Sequence, residues 1–352
     1  MKVLFLPQTS ELGPSSRYRV YQLLPLLRKS GIECEVSPAI DSDLYASAYL
    51  KPGGHRPIGF AHKIWRRRRA DLERIAQFDA VFVQKGVFPG LHAGFERRFA
   101  ARKPLVFDFD DAIWLPREGG SPLPRALHRE HVVQDILRHA AAVIAGNGFL
   151  AEYARRFNQN VMVIPSAIDL QRYPPQLKTA AMNAGGQPVI GWIGSRTTLP
   201  YLGALRRVFE KLQVIPRVIA SGDPAVLGFA VDFRSWRLES ELVELTQVDI
   251  GIAPLPDTAW EQGKCGVKLL QFMACGIPVV ASPVGVHNAI VRHGANGFLA
   301  RNPVEWCKHL GELIGNAPLR ERLGRAGRET VEQHYDVRTV AERVASVLCS
   351  LG

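Results

Sequence analysis

Residues Trp260–Gly285 read WEQGKCGVKLLQFMACGIPVVASPVG. The run just before them, Val248–Pro254, is apolar and closes on Pro254-Leu255-Pro256, so it reads as a buried strand. A loop holding Gly263 and Gly266 follows, where the backbone can approach a ligand closely. A helix then opens at about Val267 and stops at the C-cap glycine Gly276. Pro278 opens another strand, Pro278–Ser282. Strand, glycine loop, helix, strand is the repeating unit of a parallel sheet. The start of such a helix offers free amides and a positive dipole end, which suit a phosphate. Lys264 and Lys268 bring charge to the same place. A diphosphate cradle is one reading; glycines that only shape a turn beside solvated lysines are the other.

The same rhythm extends in both directions. Val189–Gly194 and Arg217–Gly222 read as strands, and Tyr201–Leu212 as a helix. In the first half, Lys2–Pro7, Glu33–Ala39, Ala80–Lys85, Pro104–Asp110, Ala141–Asn147 and Asn160–Ser166 are strand candidates. Arg17–Lys29 is apolar at helical spacing. Strands apolar throughout, separated by helices, predict parallel sheets covered on both faces. Gln171–Pro188, with Pro174-Pro175 and Gly185-Gly186, breaks the rhythm as a linker. The expected organisation is residues 1–172, a linker 173–188, residues 189–334, and a final amphipathic helix within 335–352. Two doubly wound units place a ligand crevice beyond the carboxyl ends of their strands.

The 26-residue stretch resembles the signature region of the family-four retaining glycosyltransferases, with Met273–Val280 matching a Met-Ala-Cys-Gly-x-Pro-Val-Val run. Ala295–Leu299, Val163–Asp169 and Trp192–Gly194 resemble further motifs of that family. The resemblance implies an α/β protein of GT-B fold: two facing Rossmann-like domains with a central interdomain cleft. The last helix would cross back to the first domain. It also implies transfer of a sugar, with retention, from a UDP- or GDP-sugar to a carbohydrate or lipid-linked acceptor, as in cell-surface polysaccharide or glycoconjugate synthesis. No cofactor would be tightly bound. Donor-binding positions would be Gly194, Ser195, Thr197, Gly263, Lys264, Cys265, Gly266, Val267 and Gln271. Lys268 and Arg196 would stabilise the leaving diphosphate without a metal. The sequence departs from the family at Gly263 and Gln271, where glutamates are usual; Glu261 is a candidate substitute for the first.

Other segments carry two readings each. Ser195, Arg196, Thr197 and Thr198 follow a strand and either hold phosphate or cap the next helix. Asp110 and Asp111 close another strand, and either activate an acceptor hydroxyl or cap a helix and pair with arginines. The spacing Asp108-x-Asp110 also suits a divalent metal, which the GT-B resemblance argues against. Gly13, Ser15, Ser16, Arg17, Arg19 and Asn147 are acceptor-side candidates; the loop serine and Asn147 equally suit helix caps. Ile64–Arg69, with Phe60, Leu72 and Ile75, reads as a basic amphipathic helix, either docked on an anionic membrane or simply solvated.

The chain of 352 residues is long enough for two cores. At 47% apolar and 22% charged it is an ordinary globular composition. A net charge of +11 favours anionic partners, but no nucleic-acid motif is present. The cysteines (34, 265, 275, 307, 349) form no CxxC, and the ten histidines no metal-ligand spacing, so no metal is expected. Reduced thiols, the short apolar start and the lack of a membrane-length run predict a cytoplasmic protein, peripheral on the inner membrane face if it meets lipid. Rival functions are an epimerase or hydrolase of the same fold, and a non-catalytic nucleotide-binding or membrane-docked partner protein.

Overall fold

The computed structural model describes residues 1–50, 59–88, 93–116, 130–175 and 186–351. His55, His92, His128 and residues 176–185 of the expected linker lie outside them.

Two six-stranded sheets carry the chain, and every strand pairing in them is parallel. The first holds β1 (Lys2–Leu6), β2 (Glu33–Val36), β3 (Ala80–Gln84), β4 (Leu105–Phe109), β5 (Ala142–Ala145) and β6 (Val161–Val163), in the order β2-β1-β3-β4-β5-β6. The second holds β7 (Ile190–Ser195), β8 (Arg217–Ser221), β9 (Asp232–Ser235), β10 (Ile250–Ala253), β11 (Val279–Ala281) and β12 (Phe298–Leu299), in the order β12-β11-β10-β7-β8-β9. The strand order reverses between β1 and β3 in one sheet and between β7 and β10 in the other. Those are the topological switch points, where crevices open at the carboxyl ends.

The central strands are buried along their whole length, as parallel strands between helices must be: β3, β4, β5 and β10 have no exposed position. All ten strands read from the sequence are present, trimmed by a few residues. The sequence reading missed β9, half exposed at a sheet edge, and β12, only two residues long. Arg17–Lys29 is not one helix. Pro25 lacks the amide that a continuous ladder needs, and the chain forms a π-helical turn, Arg17–Tyr21, before an α-helix, Leu24–Lys29. The segment after β7 begins as a 3-10 turn, Leu199–Leu205, and becomes α-helical only at Arg206–Leu212.

The last helix, Val337–Cys349, is capped by Asp336, which accepts from the Arg338 amide. Its apolar face (Val337, Val340, Ala341, Val344, Leu348) packs into the core that covers one face of the first sheet. The basic helix Phe60–Glu73 turns its apolar residues Phe60 and Ile64 inward. Arg68 is fully buried, paired with Asp71 (3.0 Å) and donating to the Ser37 carbonyl (2.7 Å). Trp65, at 39% exposure, is the large apolar side chain this helix shows outside, flanked by exposed Arg66 and Arg69. Among the described residues no helix is long and apolar enough to cross a membrane.

Candidate active site

The carboxyl ends of both sheets meet in one cleft. From the first sheet come the loop after β1, with Ser15 and Arg17, and the loop after β4, with Asp110 and Asp111. From the second come Gly194 and Ser195 after β7, Ser221 after β8, Pro254 after β10, and the Lys264–Gln271 segment. Two connected cavities occupy it, of about 210 and 340 Å3.

On the second-domain side, Gly266 caps the helix Val267–Ala274 in the left-handed region (φ +68°), where a side chain would also strike Ile290. The first-turn amides of that helix have no acceptor within it. Lys268 lies in its first turn. The Lys268 ammonium donates to Thr198 Oγ1 (3.0 Å) and sits 4.1 Å from the centre of the Trp192 ring. Gly194 makes room for this: a Cβ there would fall 2.4 Å from Trp192 and 2.6 Å from Lys268 Nζ. Desolvation, and then the neighbouring Lys264, push Lys268 well below the ordinary lysine range. Among the described residues no carboxylate comes within ion-pair distance of it. His287 lies on the same wall, its Nδ1 donating to the Ser282 carbonyl (3.0 Å); burial lowers it to about 4, so the ring is neutral.

The first-domain side pairs its charges. Gln84 donates to Ser15 Oγ (2.8 Å), and Ser15 donates to Asp110 (2.6 Å). Lys85 pairs with Asp110 at 2.9 Å and also with Asp111. Lys264, from the opposite domain, reaches Asp111 at 2.8 Å and completes a chain of charge across the cleft. Burial works against the Asp111 carboxylate, but the two ammoniums outweigh it and hold the group well below the usual carboxylate range. A carboxyl so placed is a weak base. Lys85 adopts φ +64°, a conformation uncommon for a non-glycine residue and often found where function fixes the backbone. The sequence reading did not single it out. Its signal was a lysine before Gly86, at the end of a strand flanking a switch point.

Other candidates sit elsewhere than the sequence reading expected. Arg19 does not face the cleft: its buried guanidinium forks onto Asp108 and donates to the Ile164 carbonyl (2.8 Å). That pairing also withdraws Asp108 from any site shared with Asp110. Among the described residues no cluster of three or more His, Cys, Asp or Glu could hold a metal ion. Asn147 caps the helix Gly148–Arg155 through the Leu150 amide (2.9 Å) and donates across to the Lys264 carbonyl (3.1 Å). Ser16 is buried against Gln84 and Thr9. Gly13, Arg196 and Thr197 line the larger cavity, and Ser195 Oγ lies 2.8 Å from Thr197 Oγ1.

Gly263 faces neither cavity. A Cβ there would lie 2.7 Å from the Ala112 backbone nitrogen, so this loop packs too tightly against the first domain to carry a glutamate. Glu261 is not a substitute facing the cleft; it is buried and accepts from Tyr201 (2.5 Å) and Thr258. Cys265 and Val267 line the smaller cavity, but the Cys265 thiol turns to the Asp110 carbonyl (3.4 Å). Gln271 donates to Tyr173 (3.2 Å), which donates to the buried Glu241 (2.8 Å). Glu241 in turn pairs with Arg17 (2.8 Å) and accepts from Trp236 (2.7 Å). Arg17 leaves Nε and Nη1 without a hydrogen-bond partner among the described residues.

Two facing Rossmann-like domains with this cleft define the GT-B class, and solved structures agree. The chain superposes on sucrose-phosphate synthase from Thermosynechococcus elongatus with a TM-score of 0.74 at 16% identity, covering 100% of this chain and 99% of that one. Anabaena HepE in complex with UDP and glucose gives 0.68 at 19%, covering both chains fully. Within the chain, residues 216–316 match the family of group 1 glycosyl transferases. A D-inositol 3-phosphate glycosyltransferase of Nocardia farcinica is 28% identical over 246 residues, 61% of this chain and 52% of its own length. The chain thus spans about half the length of the curated relatives it matches.

Proposed function

We propose that the protein is a glycosyltransferase that moves a sugar, with retention at the anomeric carbon, from a nucleoside diphosphate sugar to an acceptor held on the first-domain side. The observation that carries this is Lys268: a half-buried lysine that lines the cleft with no carboxylate partner among the described residues, in the first turn of a helix. A diphosphate supplies the missing negative charge and accepts from the helix-start amides. Thr198 and Ser195 are placed to add donors, and Arg196 joins from the same loop. As the glycosidic bond breaks, charge grows on the leaving phosphate, and these groups stabilise it most at that moment.

No metal is needed for that role, because Lys268, Arg196 and the helix dipole supply the positive field. Asp110 and Asp111 serve as positioning groups: Ser15, Lys85 and Lys264 fix them. The acceptor proton goes instead to the departing phosphate, on the face where the new bond forms. Gln271 and the Glu241–Tyr173 pair would hold the ribose end of the donor.

The test is a thermal-shift series with UDP, GDP, ADP and CDP, each with and without Mg2+ or Mn2+. A ligand that binds only the native state raises the melting temperature by mass action. One nucleotide should do so without metal; a shift with none of them would overturn the reading. A binder that does not transfer is the second reading. Gly263 favours it, since the glutamate usual at that position is absent and Glu261 turns to Tyr201 and Thr258 instead. Nucleotide binding without nucleoside diphosphate release over a broad acceptor panel would select it.

A further inference from the structure

The larger cavity runs from the cleft, past Lys85 and Arg196, to a wall built by the segment between β2 and β3 and the loop after β3. That wall consists of Ile40, Phe60, Val87 and Phe88, with Tyr45 and Tyr49 between it and Arg196. None of these apolar and aromatic residues is charged, and no motif in the sequence pointed to them as a group. The tyrosine rings lie with their centres 5.0 Å apart at an interplanar angle of 36°. At about 340 Å3 the cavity falls in the range of small-molecule sites, roughly 300–1,000 Å3.

The charges bordering this space are distributed unevenly. Lys85 and Lys264 are both paired with Asp111, and Lys85 also with Asp110, so their fields largely cancel. Arg196 has no carboxylate partner among the described residues; it stands on the β7 loop, on the wall shared with the donor side, with its guanidinium over the Tyr49 ring, 5.9 Å from the centre. Beyond Arg196, against Ile40, Phe60 and Phe88, an anionic acceptor group would lose its water and meet only apolar carbon. The C–H face of a sugar ring, or an apolar aglycone, would instead bury apolar surface there.

Resting on the transferase reading above, we propose that this cavity is the acceptor subsite. Its ligand is a neutral glycoside whose ring stacks on Tyr49 and whose apolar aglycone lies toward Phe60 and Phe88. It does not take a phosphorylated sugar or cyclitol.

The experiment is calorimetric binding of octyl glucoside, octyl galactoside and octyl mannoside, below micelle formation. Fructose 6-phosphate and inositol 3-phosphate are compared with them, on the wild type and on Tyr49→Ala and Tyr49→Phe. At least one octyl glycoside should bind more tightly than either phosphate. Tyr49→Ala should weaken it by about 3–10-fold, the effect of one aromatic contact, and Tyr49→Phe should restore it. Tighter binding of a phosphorylated compound, no binding of any glycoside, or glycoside binding indifferent to Tyr49→Ala would each overturn the proposal. Nucleotide thermal shifts on the same samples separate the two readings. If they persist while glycoside binding fails, only the acceptor assignment falls; if they are absent, the transferase reading falls with it.

Discussion

The two walls of the cleft differ in one charge that finds no partner. On the first-domain wall every charged group described has a partner: Arg17 with Glu241, Lys85 with Asp110 and Asp111, Asp111 with Lys264; behind that wall Arg19 pairs with Asp108. On the second-domain wall Lys268 has an aromatic face and a hydroxyl but no carboxylate, and His287 is held neutral. Paired charges fix geometry. An unpaired one stores an unmet demand, and that demand is what a ligand answers. Under the proposed function, the contrast gives shape to one wall and anion recognition to the other.

Three measurements test this division, in falling order of effect. Arg19→Met strands the Asp108 carboxylate in the core. It should cost about 3–5 kcal/mol of folding stability in urea titration. If the loss is under about 1 kcal/mol, the first wall does not depend on its pairings. Lys268→Ala should cut turnover by on the order of 10²–10³-fold, about 2.7–4 kcal/mol of transition-state stabilisation, and abolish the nucleotide thermal shift. The unliganded variant should melt no lower than the wild type, because a desolvated lysine without a carboxylate partner has been removed. A melting point that falls together with activity would make Lys268 structural.

The smallest effect concerns pH. His287 is lowered in the folded state to about 4, against an ordinary value near 6.5. Between those values the unfolded chain holds a proton that the folded chain refuses. His287 therefore lends stability above about pH 6.5, and this is lost as pH falls toward 4, by up to about 3 kcal/mol. The His287→Gln variant should show a flatter decline over that window in parallel urea titrations. Parallel curves would mean that the ring takes up its proton in the fold as readily as in the unfolded chain.

Much of the architecture was legible because burial on both faces writes itself as unbroken apolar strands. Ala142–Ala145 and Ile250–Ala253 could hardly be anything else. An edge strand such as Asp232–Ser235 leaves a weaker trace, since half of it meets water. The site was legible only in part. Gly266, Lys264, Lys268 and Gln271 all line the cleft, because a glycine at a helix start is a local signal. Which partner a charge finds is decided by chain segments far apart. Arg19 turned to Asp108, Asn147 to the Lys264 backbone, and Glu261 to Tyr201 for reasons absent from their neighbours in sequence. The aromatic wall was invisible for a related reason: Tyr45 and Phe88 come together only when the sheet is assembled.

The loop around Gly263 has a consequence for how this chain could be recombined. Gly263 lies against Ala112, the Cys265 side chain fills the space that a Cβ on Gly146 would need, and Cys265 belongs to the first domain's core rather than its own. The halves are therefore mated parts, not interchangeable modules. A chimera that grafts this second domain onto a foreign first domain must also import the small residues at positions 112 and 146. Without them the graft would jam at the seam while both halves remained intact.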